Sequence, residues 1–191
     1  MNVGTQMTKR GEMRGKSLDE LVEMFRAHFP HPDPVVEFTV DSPTLLDAIV
    51  RAVDGRDRAG KMYSEGTCVR FSSKEEFKYE LCVRHREVAN AKNFDDVYDV
   101  LRAARPWGIG DCTTYNCAVR IAAYLGFEPE NYLYLHAGPK QGWRRLTGLK
   151  KEKRHRVPMT EVPKALHVLS VKKIEDFFCE MRDAVHPGLL E

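Results

Sequence analysis

The stretch Arg105-Pro106-Trp107-Gly108-Ile109-Gly110-Asp111-Cys112-Thr113-Thr114 decides how this chain is read. Asn93 to Ala104 leads into it, with Phe94, Val97, Tyr98 and Leu101 at helical spacing. Thr113 to Leu125 leaves it as a second such run, carrying Ile121, Ala122, Tyr124 and Leu125 and closed by Gly126. Pro106 ends the first helix, because its ring cannot follow an α-helical turn and its predecessor is driven out of the α region. Gly108 and Gly110 permit the positive φ that a very tight hairpin needs. The second helix then starts with backbone N–H groups that have no acceptor inside it, an arrangement suited to an anion.

The 191 residues suit one domain, and 42% hydrophobic with 30% charged residues supply both a core and a polar surface. No run approaches the roughly 20 apolar residues of a membrane span, so no membrane partner is expected. Met1 to Lys16 is polar, basic and glycine-bearing, without the apolar stretch of a signal peptide; it reads as a flexible arm ahead of a single helical domain over 17–191. Five cysteines, an odd number without a framework spacing, read as free thiols in a reducing cytoplasm, mostly as small apolar filler.

The net charge of +2 conceals its distribution. Between Ala137 and Arg156 stand Lys140, Arg144, Arg145, Lys150, Lys151, Lys153, Arg154 and Arg156 against the single acid Glu152, a local charge of +7 that leaves −5 for all the other residues. A basic segment on an otherwise acidic chain points to an anionic partner.

The remaining helices follow from caps and periodicity. Ser17 and Glu20 form a capping box ahead of Leu21, Met24, Phe25 and His28. Pro30 to Pro34 stops that helix, and Val35 to Val40 reads as a short extended piece. Asp41 or Ser42 caps the next helix, with Pro43 in its first turn and Leu45, Leu46, Ile49, Val50 and Val53 as its stripe. After a charged loop and a connector over Thr67 to Phe71, Ser72 or Ser73 caps a helix to about Val88, with Phe77, Leu81 and His85 on one side. Pro129 starts another short helix. Val171, Ile174, Phe177, Phe178 and Met181 line a last one, from about Ser170 to Arg182. The sum is an all-α domain of roughly seven helices.

Gly108-Ile109-Gly110-x-x-Thr113-Thr114, with Ala118-x-Arg120 in the following helix, resembles the helix-hairpin-helix motif over about 30 residues, Asn93 to Leu125. The version it is most similar to belongs to the base-excision DNA glycosylases. That resemblance implies a DNA phosphate gripped by the amides of Gly108, Ile109 and Gly110, with a monovalent cation at the hairpin carbonyls and no other cofactor. The family's catalytic parts do not carry over. No aspartate lies between Cys112 and Glu175, Cys112 stands where the bifunctional members have lysine, and no cysteine cluster of iron–sulfur type exists. Leu135-x-Ala137-Gly138-x-x-x-Gly142-Trp143 is a fainter echo of the hairpin, with an ordinary turn as its plainer reading.

Other chemistries are open at this point. Gly-Asp-Cys before a helix resembles the nucleophile region of transglutaminase-like and papain-like enzymes; Cys112 would then need His136, His155 or His167 as base and Asp176 as orienting acid. Cys82-x-x-His85 puts two metal-ligand types on one helical face without a second pair, so no metal is assigned. Trp107 and Trp143 could both stack on exposed bases; core packing is the favoured reading for Trp107, and the choice stays open for Trp143, which lies beside Arg144 and Arg145. The reading favoured is a binding protein rather than an enzyme: duplex DNA, with RNA as the alternative, held through its backbone with weak sequence preference. Thr113 and Thr114 would add hydroxyl contacts and the eight basic residues the long-range attraction; six engaged phosphates would give a log–log salt slope of roughly −5. A module that binds an acidic protein is the third class.

Overall fold

The computed structural model of the chain describes residues 13, 15–28, 33–63 and 69–190. Among the described residues run nine α-helices: α1 Leu18–His28, α2 Pro34–Val40, α3 Leu45–Asp54, α4 Phe71–Val83, α5 His85–Ala89, α6 Phe94–Ala104, α7 Asp111–Tyr124, α8 Ala137–Thr147 and α9 Val171–Glu180. A two-stranded antiparallel sheet, β1 Tyr132–Tyr134 with β2 Arg156–Pro158, is the only sheet among them. The all-α class read from the sequence is the class adopted. None of these helices is long and apolar enough to cross a membrane. Most of the N-terminal arm and of the Pro30–Pro34 stop lies outside the described residues, as do Thr67 and Cys68 of the connector before α4.

The chain divides into two compact units, Pro32–Pro129 and a unit made of Met1–His31 with Glu130–Glu191. In the first of these, α7 is the element the others pack on: α2, α3 and α6 all touch it. Its sequence shows why. Thr114, Tyr115, Cys117, Ala118, Ile121 and Ala122 are buried on more than one side, as befits a helix surrounded by others. Phe94 of α6 meets Tyr115 with ring centroids 5.8 Å apart, and Val97, Tyr98 and Leu101 complete the α6 face. Burial pushes the Tyr98 phenol up to about 12.

Three local expectations are corrected in this unit. Val35–Val40 is helical, not extended. The Asp33 carboxylate accepts the amides of Val35 at 2.9 Å and Val36 at 3.4 Å, and Pro34 occupies the first turn, where its missing N–H has no cost. The β-branched run loses to that cap, with Val35 and Thr39 buried one turn apart. Thr44, rather than Asp41 or Ser42, caps α3. The face α3 buries is Ala48, Ile49, Ala52 and Val53, while Leu46 and Val50 stand 44% and 38% exposed. Finally, the helix expected to reach Val88 breaks at Arg84, and it opens at Arg70 without a side-chain cap.

The other unit holds its own core. The capping box at α1 is present: Ser17 N donates to Glu20 Oε2 at 2.7 Å and Glu20 N to Ser17 Oγ at 3.3 Å. Leu18, Leu21, Val22 and Phe25 are buried, and Phe25 meets Phe177 of α9 edge-on at 5.6 Å. Pro129 starts no helix; the chain runs on into β1, where Leu133 pairs with Val157. The Leu135–Trp143 echo is no hairpin either, since α8 begins at Ala137 and contains both glycines. Those glycines serve close approach to α9. A Cβ on Gly142 would lie 2.8 Å from both Phe178 Cβ and Phe178 O, and one on Gly138 would land on Cys179 Sγ. Trp143 is buried, edge-on to Phe178 at 6.2 Å.

Candidate nucleic-acid interface

The hairpin forms as its residues dictate. Arg105, next to proline, takes the extended conformation (φ −67°, ψ 127°) and ends α6. Gly108 takes φ +93°, and a Cβ there would stand 2.7 Å from Ser73 Oγ, so conformation and space both demand glycine. Gly110 does not share that need. It is the N-cap of α7 at φ −88°, with nothing within 4 Å of where its Cβ would be. The helix also begins two residues earlier than the sequence suggests, at Asp111.

The donors sort unequally. Ile109 N is used inside the turn, donating to Pro106 O at 3.2 Å, and the Ile109 side chain is buried. Among the described residues the amides of Gly108 and Gly110 have no acceptor. Thr114 is fully buried and its hydroxyl donates to Gly110 O at 3.0 Å, which also receives Thr114 N at 3.0 Å; Thr113 is buried as well. The Thr114 hydroxyl expected to face a phosphate is thus engaged inside the turn. Gly110 O is doubly occupied and Pro106 O is taken, while no donor reaches Trp107 O, Gly108 O or Ile109 O among the described residues. The turn borders an open hollow of about 440 Å³ lined by Arg105 to Asp111, and Arg105 pairs with Asp111 across it.

The basic segment is less uniformly available than its composition implies. Arg144 Nε donates to Leu149 O at 3.4 Å, its guanidinium also reaches Lys150 O, and Arg145 pairs with Asp183. Arg154 spans Glu152 at 2.9 Å and Glu161 at 2.8 Å, and Arg156 lies 4.7 Å from the Tyr132 ring centroid. Lys140, Lys150, Lys151 and Lys153 have no ion pair among the described residues. The hydrogen bonds from Arg154 hold the Glu152 carboxyl down to about 2, from an ordinary 4.5. The anchoring this gives the loop is full above pH 4.5 and fades as pH falls through about 2. In Arg154→Gln, Glu152 is expected to titrate back toward its ordinary range, which a carboxyl-detected NMR titration checks.

Some residues here stand differently from their sequence reading or had no sequence signal. Trp107, expected in the core, is 82% exposed, and the Arg70 guanidinium stands 5.7 Å from its ring centroid. Lys74, at the start of α4, is buried, and that burial lowers its pKa. Glu175 of α9 is 1% exposed and accepts Tyr134 N at 2.9 Å, with His136 Nε2 at 3.8 Å. Cys112 Sγ accepts the Asn116 side-chain amide at 3.8 Å. His85 Nδ1 is taken by Cys82 O at 2.8 Å, and no group of three His, Cys, Asp or Glu among the described residues is placed to hold a metal. No family model, curated protein or solved structure matches the chain.

Proposed function

We propose that this protein binds duplex DNA through its phosphate backbone, with weak sequence preference. The observation that carries the reading is the bend before α7, where the Gly108 and Gly110 amides lack an acceptor among the described residues. A phosphate there would meet these N–H donors and the positive end of a 14-residue helix. Asp111 opposes it with a like charge, and the Arg105 pairing offsets that charge. Lys140, Lys150, Lys151 and Lys153, which lie in the other unit, supply attraction without base readout.

Binding to an unlabelled-sequence duplex pool across a salt series tests this. Four lysines on four phosphates give a log–log slope of roughly −3.6. Changing all four to glutamine is expected to flatten the slope. Gly110→Ala, which meets no neighbour in the fold, puts a methyl in the mouth of the bend and is expected to weaken binding about tenfold, the worth of one charge-assisted hydrogen bond, with the slope kept. A flat salt response in the unaltered chain overturns the proposal. Indifference to Gly110→Ala together with a steep slope favours an acidic protein partner instead.

A further inference from the structure

An indole left in water forgoes the burial that makes large aromatic side chains valuable in a fold. Trp107 is 82% exposed, although the turn that carries it is tightly specified by Pro106 and Gly108. One flank of its ring is occupied, with the Arg70 guanidinium 5.7 Å from the centroid. Arg70 is itself exposed at the N-cap of α4, and the adjoining Phe71 is exposed too. The indole borders the hollow into which the hairpin opens, and its chain neighbour is Gly108, whose amide lacks an acceptor among the described residues. A flat π-surface beside a phosphate-seeking amide matches the two halves of one nucleotide. Charge is not what draws a ligand to this place. Residues 32–129 hold 13 basic against 16 acidic side chains, and Arg105 and Asp111 cancel at the hollow itself.

We infer that Trp107, backed by Arg70, is a stacking seat for one unpaired base beside the phosphate at the hairpin, so that the preferred ligand is DNA with an unstacked nucleotide rather than uninterrupted duplex. This rests on the backbone-binding reading and adds the substrate class to it. A base inside an intact duplex has both faces covered by its neighbours and offers nothing to the indole. A looped-out base offers a whole face. Because stacking is not an ionic term, the gain it brings is insensitive to salt, unlike the contribution of the lysines.

The test uses the full chain and two fluorescein-labelled duplexes, identical except for one looped-out adenine, at low and moderate salt. The bulged duplex is expected to bind about tenfold more tightly than the intact one, with that ratio held as salt rises. Trp107→Ala should bring the ratio to about one while leaving intact-duplex affinity within about twofold, and Trp107→Phe should retain part of it. The exposed position makes both variants compatible with folding. If intact duplex binds with a steep salt slope but the bulge adds nothing, or Trp107→Ala keeps the gain, this inference falls and the backbone-binding proposal stands. If neither duplex binds, both fall together.

Discussion

Glu175→Ala is expected to destabilise the protein by about 3 kcal/mol, the joint cost of an orphaned buried amide and the space left by the lost carboxylate. The reason lies in the small sheet. β1 has one strand partner, so its other edge turns Tyr134 N toward α9, where Glu175 Oε1 accepts it at 2.9 Å in a site 1% exposed. Glu175 Oε2 faces His136 Nε2 at 3.8 Å, so truncation strips a buried partner from both residues. Glu175→Gln keeps an acceptor for Tyr134 and is expected to cost clearly less. Urea denaturation in a Trp107→Phe background, read by the buried Trp143 of the same unit, measures both. Equal losses for the two variants would show that the hydrogen bond donated by Tyr134 N is not what matters.

Gly142→Ala sets two effects of opposite sign against each other. In a solvated helix the change would gain about 1 kcal/mol of helix propensity. Here the new methyl lies 2.8 Å from Phe178 Cβ and Phe178 O, and a backbone oxygen cannot swing aside as a side-chain tip can. Forcing α8 and α9 apart costs about 1–3 kcal/mol, with the well-packed Trp143–Phe178 contact at the upper end. A net loss of about 2 kcal/mol is expected in the same denaturation assay. Gly138→Ala is the milder companion, because its nearest obstacle is the Cys179 thiol. A gain in stability at Gly142 would mean that the helices separate at little cost.

The hairpin was legible in sequence because its rules are local. Proline dictates the end of α6 and the conformation of Arg105, and glycine supplies the one positive φ, at Gly108. The fate of its donors was not legible. Nothing in Gly-Ile-Gly says that Ile109 N closes onto Pro106 or that Thr114 turns its hydroxyl inward to Gly110. Packing decided the faces that periodicity misjudged. Ala48 and Ala52 are buried against α7 because small side chains allow helices to approach, whereas Leu46 and Val50 remain outside. Packing also settles the choice left open for Trp143 and reverses the core reading favoured for Trp107. Trp143, between glycine and two arginines, fills the α8–α9 contact, and Trp107, beside proline, stands in solvent. Composition counts charges but not their engagements: of the eight cations read from sequence, Arg145 and Arg154 are ion-paired and Arg144 is turned to backbone carbonyls.

The fastening of the lysine-bearing loop has an entropic corollary. Arg144 fixes its start through the carbonyls of Leu149 and Lys150, and Arg154 fixes its far side between two carboxylates. Under the proposed backbone binding, a polyanion landing there would meet a surface already set in shape, so that little of the association free energy would be spent on freezing main chain. Arg154 would thereby favour capture while its own charge is neutralised by Glu152 and Glu161.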